Sequence, residues 1–585
     1  MLNSKFTGAI FATVLLAACA PFDAAKRDDA AETHKPAAAT GAWDKGAMVT
    51  AANPHAVAAA IQMLEKGGHA VDAAIAAHAV LGLVEPQSSG LGGGAFMLVY
   101  QRAEADLSFL DGRESAPAGA TVDMFVRDGE VMSFRQAWQS GLAVGVPGAV
   151  ALYKRAHDEY GKLTWAELFQ PAMQLAEQGF AVSPRMAKSL EFVAPYSRLD
   201  ENPPTAAYFY PGGKALPVGH LLKNPDYAAT LSRIAKEGID AFYKGEIAAA
   251  IALAAQEGPD GGSLTAEDIA NYEVIERPVI CGKFRVLKIC TTSPPSSGIA
   301  QIMVAGIYDH LASEAEGESG RVAAFVDAQR LAYADRDHYI GDPKSISIPL
   351  DDLLNPEYLR HRAGERFAPG AVPQHGDPGK VLRGKPVANL LAEDLTFETP
   401  GTSHLSIIDN EGNAIAMTAT VEGYFGSSRW AHGFLLNNEM TDFARQPPAD
   451  GKPVANAIVP GKRPRSSMSP TMVFDESDSI LMVTGSPGGN SIPAYVSKTI
   501  VGVLDWGLSA QDAVDFPNIV ARGEKVRVEI ATDEGKAIAA DLQQRGYTVE
   551  EREGENSGLH VIVVRPDGLE GAADKRREGV VRTTQ

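Results

Sequence analysis

Two threonines, Thr402 and Thr420, stand at matched distances from a tight turn. Two hydroxyls held side by side suit a nucleophile and its hydrogen-bonding partner. The segment Gly401-Thr-Ser-His-Leu-Ser-Ile-Ile-Asp409 enters Asn410-Glu411-Gly412 and returns as Asn413-Ala-Ile-Ala-Met-Thr-Ala-Thr420. Alternating apolar positions and the glycine-bearing turn predict two antiparallel strands. If Asp409 faces Asn413, counting outward sets Thr402 opposite Thr420 on one face. Ser403, the nearest rival hydroxyl, then points to the other. Thr402 follows Pro400-Gly401, at the mouth of its strand. A turn longer or shorter by one residue would break the pairing and exchange the faces.

The surrounding sequence supplies the elements that must hold this hairpin. His55 to Val84 is alanine-rich with helical periodicity, broken at Gly67-Gly68, and predicts two helices. Gly90-Leu-Gly-Gly-Gly-Ala-Phe-Met-Leu-Val-Tyr100 is a glycine turn entering a strand. It is no dinucleotide fingerprint, because Ala95 replaces the last glycine and a strand follows. From Gly148 to Asn271 the pattern is mostly helical, Tyr272 to Thr292 returns to strands, and Val322 to Ile340 is a long helix. Residues 368–399 are irregular and read as an exposed linker into Thr402. Beyond it strands dominate, at 405–420, 471–484, 527–530 and 560–564, with helices near 495–504 and 535–546. Asp574-Lys-Arg-Arg-Glu-Gly579 leads into a docked final strand. Helices first and strands later, around one core, predict a single layered α+β body.

The 585 residues are 45% hydrophobic, an ordinary content for a soluble protein, and Gly 57 and Pro 36 imply many turns. A net charge of -20 argues against nucleic acid or anionic lipid as partner. Lys5 and an apolar run from Ala9 to Ala18, too short to span a membrane, read as an export signal over residues 1–18. Leu16-Ala17-Ala18-Cys19 is similar to a bacterial lipoprotein box, with Cys19 as the lipidated residue and Ala20 in keeping with outer-membrane sorting. Cleavage after Ala18-Cys19-Ala20 would instead leave a soluble periplasmic protein. Residues 19–45 read as a flexible tether. Cys281 and Cys290 flank a hairpin, so a bridge between them and two buried thiols are both open. Neither has the companions of a zinc site. Asp335, Asp337 and His338 on the long helix read as ion pairs and a cap, so no metal is expected, and neither a zinc-protease motif nor a phosphate loop occurs.

The ordered motifs Gly67-Gly-His-Ala-Val-Asp-Ala-Ala74, Asp111-Gly-Arg-Glu-Ser-Ala-Pro117, Val146-Pro-Gly148, Pro294-Pro-Ser-Ser-Gly298, Leu331-Ala-Tyr-Ala-Asp-Arg336, Thr402-Ser-His404, Leu436-Asn-Asn438, Arg463-Pro-Arg-Ser-Ser-Met-Ser-Pro470 and Gly485-Ser-Pro-Gly-Gly489 resemble those of the γ-glutamyltranspeptidases. The resemblance runs from Met48 to the C-terminus. It implies a four-layer αββα sandwich of the N-terminal-nucleophile hydrolase type, made as a precursor. Self-cleavage of Gly401-Thr402 would give a large subunit, residues 46–401, and a small one, 402–585. The freed α-amine, with a pKa of about 8 by type, would serve as base toward its own hydroxyl. Thr420 matches the partner hydroxyl, and Gly488-Gly489 the oxyanion turn. Arg113, Ser466 and Ser467 match the grip on a donor carboxylate; Asp442 and Glu439 match the acidic side that takes its ammonium group.

Two departures stand out. Glu422 occupies a position where the family usually has asparagine, near the ammonium. The stretch Phe443 to Lys462 is short and lacks the aromatic residue that covers the site in many members, which favours hydrolysis over transfer to amino-acid acceptors. The expected activity is cleavage of glutathione and related γ-glutamyl amides through an ester on Thr402, with no cofactor, by a periplasm-facing, lipid-anchored enzyme. Its expected partners are small-molecule donors and the two halves of its own precursor. Two alternatives stay open: an acylase for glutaryl or cephalosporin-type amides on the same fold, and an uncleaved, non-enzymatic binding lipoprotein.

Overall fold

The computed structural model describes residues 43–584, apart from 259, 366, 388–390, 393, 395, 397, 400 and 448–451. The expected signal, Cys19 and all but the last residues of the expected tether lie outside the described residues, as does part of the short Phe443 to Lys462 stretch.

The strands of two central sheets carry the architecture. β1 (Met48–Ala51), β2 (Gly94–Gln101), β3 (Asp106–Gly112), β4 (Ile275–Arg277), β5 (Val279–Phe284) and β6 (Leu287–Thr292) precede the hairpin. The hairpin is β7 (Gly401–Ile408) and β8 (Ala414–Glu422); β9 (Thr471–Phe474), β10 (Ile480–Gly485), β11 (His560–Arg565), β12 (Gly568–Ala573) and β13 (Val580–Thr583) follow. One sheet has seven strands in the order β13-β1-β7-β8-β2-β3-β4, and the other six in the order β12-β11-β10-β9-β6-β5. Neighbours in both are antiparallel.

The period of two along each strand sorts side chains between two cores. Ala95, Met97 and Val99 of β2 pack with α1 (Pro54–Glu65) and α2 (Ala70–Val84), whereas Phe96, Leu98 and Tyr100 face the second sheet. That sheet carries α3 (Gly298–Ala312), α4 (Gly317–Tyr339) and α5 (Ile492–Leu504) in the same apolar cluster. The result is a helix–sheet–sheet–helix sandwich, the expected four-layer α+β class. Helices α1 and α2 are the two predicted from the alanine-rich run. Gly68 between them is required, because a Cβ there would stand 2.8 Å from the Met63 carbonyl oxygen.

The hairpin register is the one counted from the turn: Thr402 pairs with Thr420, Ser403 with Ala419, and so on to Ile408 with Ala414. Asp409 fixes the turn length. Its carboxylate accepts from the backbone N–H groups of Glu411 and Asn413 at 2.9 Å each, and from Ala70 at the start of α2 at 3.1 Å. Cys281 faces Cys290 across the β5–β6 hairpin with 4.1 Å between Cα atoms, and of the two open readings the structure has the disulfide. One expectation is corrected. The stretch read as irregular contains a short helix, Pro378–Arg383, capped by the Asp377 side chain on Lys380 N–H at 3.0 Å. An Asp-Pro start is a helix signal that the glycine-rich surroundings obscured.

Candidate active site

β7 and β8 meet irregularly at one place, between Gly401 and Thr402, where Gly401 faces Glu422 and Thr402 faces Thr420. Such a bulge lifts one residue out of the regular ladder and re-aims its neighbours. Here the residue with no partner on β7 is Val421 of β8, next to the Thr420 that faces the nucleophile candidate. The Thr420 hydroxyl donates to the Gly401 carbonyl at 2.5 Å, accepts from Glu422 N–H at 2.8 Å, and lies 3.3 Å from Thr402 Oγ1. With its own proton directed at the Gly401 carbonyl, it accepts from Thr402. One hydroxyl thus polarises the Gly401 carbonyl and orients the alcohol beside it.

Thr402 and Thr420 open on a small cavity shared with Arg113, Glu422, Asp442, Ser466, Ser467 and Gly489. The structure brings these expected site residues together. Glu439 stands behind Arg113, and Gly488 adjoins Gly489. Gly488 has φ 140° and Gly489 φ 55°, and a Cβ would stand 2.5 Å from the Tyr495 ring at the first and 2.6 Å from the Glu398 carbonyl at the second. Only glycine fits this turn.

The charges are arranged less simply than a carboxylate clamp beside a separate acidic face. The Arg113 guanidinium is ion-paired with Glu439, with Asp442 at 3.0 Å and with Glu114 at 3.4 Å. Burial alone would lower its pKa, but Glu439, Glu114 and Asp442 raise it above the ordinary value. Burial and the neighbouring carboxylates hold Glu439 and Asp442 well above the usual carboxylate range, against the pull of Arg113. Burial likewise pushes Glu114 up to about 7.

Sequence reasoning missed the residues that contact the chain just ahead of Thr402. The Glu398 carboxylate accepts from Ser467 N–H at 2.9 Å and from Arg336 at 2.6 Å, and Arg336 also donates to Ser467 Oγ at 2.7 Å. Burial would raise the Glu398 pKa, but Arg336, Arg465 and the Ser467 hydrogen bond hold it below the usual range. Thr399 donates its N–H and hydroxyl to Glu422 at 2.9 and 2.6 Å, and Asn438 donates to the other Glu422 oxygen. In the continuous chain a carboxylate therefore rests on Ser467 and an N–H on Glu422. Arg336 and Asn438 both lay inside recognised motifs without a role; Glu398 had only its closeness to Thr402 as a signal. On α4, Asp335 pairs with Arg362 at 3.0 Å, and Asp337 with Arg336 at 2.8 Å and Arg522 at 2.7 Å. His338 stacks on His375 at 3.5 Å.

An αββα sandwich with a threonine opening a central strand beside a second hydroxyl defines an N-terminal-nucleophile hydrolase fold. Residues 56–584 match the family model described as gamma-glutamyltranspeptidase, and the chain belongs to that enzyme family. It is 35% identical over 524 residues to the glutathione hydrolase proenzyme of Bacillus subtilis (strain 168), covering 87% of this chain and 86% of that one. It is also 35% identical over 553 residues to the glutathione hydrolase proenzyme of Escherichia coli (strain K12), covering 91% and 90%. Among solved structures, that of the cephalosporin acylase from Bacillus halodurans superposes with a TM-score of 0.79 at 26% identity, covering 94% of this chain and 98% of that one.

Proposed function

We propose that the protein is a γ-glutamyl hydrolase and transferase that matures by cutting its own Gly401-Thr402 bond. Thr402 Oγ1 attacks the Gly401 carbonyl carbon while the Thr420 hydroxyl holds the carbonyl oxygen. The peptide becomes an ester on Thr402, and water hydrolyses it, leaving two chains, one that ends at Gly401 and contains residues 46–401 and one of residues 402–585. The new α-amine of Thr402 then takes the proton of its own hydroxyl as that oxygen attacks the γ-amide carbon of glutathione or a related γ-glutamyl compound. Backbone N–H groups of the Gly488-Gly489 turn hold the oxyanion; losing one such donor costs about 100- to 1,000-fold in rate. The leaving amine receives the proton. Water, or an amine in transfer, releases the γ-glutamyl group.

Arg113, Ser466 and Ser467 take the donor carboxylate, and Glu422, Glu439 and Asp442 its ammonium. Attachment to the outer membrane of a periplasm through Cys19 is part of the same reading. The observation that carries it is the Thr420 hydroxyl placed between the Gly401 carbonyl and Thr402 Oγ1, 2.5 Å from one and 3.3 Å from the other. Intact mass and N-terminal sequencing test it: the wild type yields a small chain beginning at Thr402, and Thr402→Ala yields none and no turnover. A single unbroken chain that degrades glutathione at full rate overturns it.

The likeness to a cephalosporin acylase favours a second reading, a glutaryl-type acylase. A glutaryl group has no ammonium, whereas this cavity sets Glu422 and Asp442 on its wall with Glu439 behind. Parallel turnover of glutathione and a glutaryl amide separates the two.

A further inference from the structure

A pocket built to take an ammonium is a poor place for an amine that must work as a base. Glu398, Glu422 and Asp442 line the cavity with Thr402; among the described residues Arg113 is its cationic lining residue, with Glu439 and Glu114 behind it and Arg336 paired to Glu398 at 2.6 Å. Carboxylates at this range favour the protonated amine, which cannot accept the proton of its own hydroxyl. The mechanism proposed above needs an opposing charge.

The opposing charge stands at the nucleophile's own carbonyl. Arg577, just ahead of β13, sends Nη1 to the Thr402 carbonyl oxygen at 2.6 Å and Nη2 to the Asn556 carbonyl and Oδ1 at 3.0 and 3.1 Å. It is buried, and among the described residues none of these bonds goes to a carboxylate. Its Nε has no hydrogen-bond partner there. A buried cation that spends its hydrogen bonds on carbonyl groups is costly and calls for a use. Burial, and then Arg185, push its pKa down to about 10, which leaves it charged at neutral pH. Around it stand Glu85, Arg185, Tyr424, Asp574, Glu578 and His560. Of these, Glu85 is paired with Arg185 at 3.1 Å, and Asp574 with Arg576 at 3.2 Å.

The location has a second consequence. β1 ends at Ala51, opposite Leu405, so no β1 residue pairs with Thr402. Once the bond to Gly401 is cut, Thr402 is a strand end with one neighbouring strand, and strand ends fray. Covalent geometry keeps the guanidinium nitrogen that holds the Thr402 carbonyl within about 6 Å of the Thr402 nitrogen.

We infer that Arg577 is a positioning residue for the nucleophile: its guanidinium clamps the Thr402 carbonyl after scission, and its charge keeps the new α-amine in the free-base form against the carboxylates of the pocket.

This role rests on the proposed function, and the test separates the two. Cut protein is assayed for kcat/KM against γ-glutamyl-p-nitroanilide over a pH series, which reports the free enzyme's essential base. Arg577→Gln removes the charge; Arg577→Lys keeps it. Asn556→Asp leaves the guanidinium in place but neutralises it, and decides the matter if Arg577→Gln does not fold. The acidic limb is expected to move up by about 1 pH unit in Arg577→Gln and in Asn556→Asp, and to stay near the wild-type position in Arg577→Lys. A limb unmoved in the folded, cut charge-neutralising variants overturns the role of Arg577 alone. A wild type without a chain starting at Thr402 overturns the function on which it rests.

Discussion

Glu422 holds Thr399 in the continuous chain and has a second contact proposed for the mature enzyme. Its Oε1 accepts both donors of Thr399, and in the proposed mature enzyme the same carboxylate would meet the donor's ammonium. It has φ 74°, which side chains other than glycine adopt at a cost, so the position holds the carboxylate against local preference. Glu422→Gln is expected to raise KM for γ-glutamyl donors by about tenfold, the loss of one charged hydrogen bond, with a smaller change in kcat. Steady-state kinetics on cut protein measure it; an unchanged KM would place the ammonium elsewhere. At this scale the sequence showed the residues that belong to motifs and could not show their partners. The pairing of Arg113 with Glu439 and Asp442 depends on two separate chain segments, 113–114 and 439–442, converging, and nothing in the spacing within either encodes that.

The hairpin was readable because a period of two and a fixed turn determine register without help from the rest of the chain. The strand beside it was readable as a strand, but its closeness was not. A Cβ on Gly93, just before β2, would stand 1.9 Å from the Thr420 carbonyl oxygen. Gly93→Ala therefore pushes directly on the strand carrying the partner hydroxyl. It is expected to leave the precursor uncut or slowly cut on denaturing gels and to cost about 1–3 kcal/mol in thermal unfolding. The two sheets also meet through histidines: His404 of β7 and His560 of β11 lie with ring centroids 6.4 Å apart, and a Cβ on Gly485 of β10 would stand 2.3 Å from the His404 ring. Burial holds both imidazoles neutral, His404 well below its ordinary value and His560 down to about 4. The unfolded chain protonates first as pH falls below about 6.5, so stability present above that pH is lost on the way to about 4. His560 alone accounts for about 3 kcal/mol over that window. Melting temperature is expected to fall across it, and less steeply in His560→Gln; equal slopes in the two proteins would remove the effect from this residue.

Across the whole molecule, the order of strands in the seven-stranded sheet is not the order of synthesis. β7, which begins at the proposed cut, lies between β8 and β1, and β1 is covered on its other side by β13, the last strand among the described residues. Sequence patterns gave the layers, since each strand shows which face is apolar. They did not give this interleaving, which joins residues 48–51 to residues 401–408 and 580–583. Under the proposed self-cleavage, the arrangement would set a clock on maturation. A ribosome that has made Thr402 and Thr420 has made the hydroxyl pair but not its frame, because the strand that backs β1 and the arginine that grips the Thr402 carbonyl follow later in the chain. A chain stopped after Asp574 is expected to remain in one piece, as judged by intact mass beside the full-length protein. Scission at the normal rate in that shortened chain would show that the last residues are dispensable. Under the proposed self-cleavage, residues 575–583 would thereby act as a completion signal, so that no half-made enzyme carries a live alcohol.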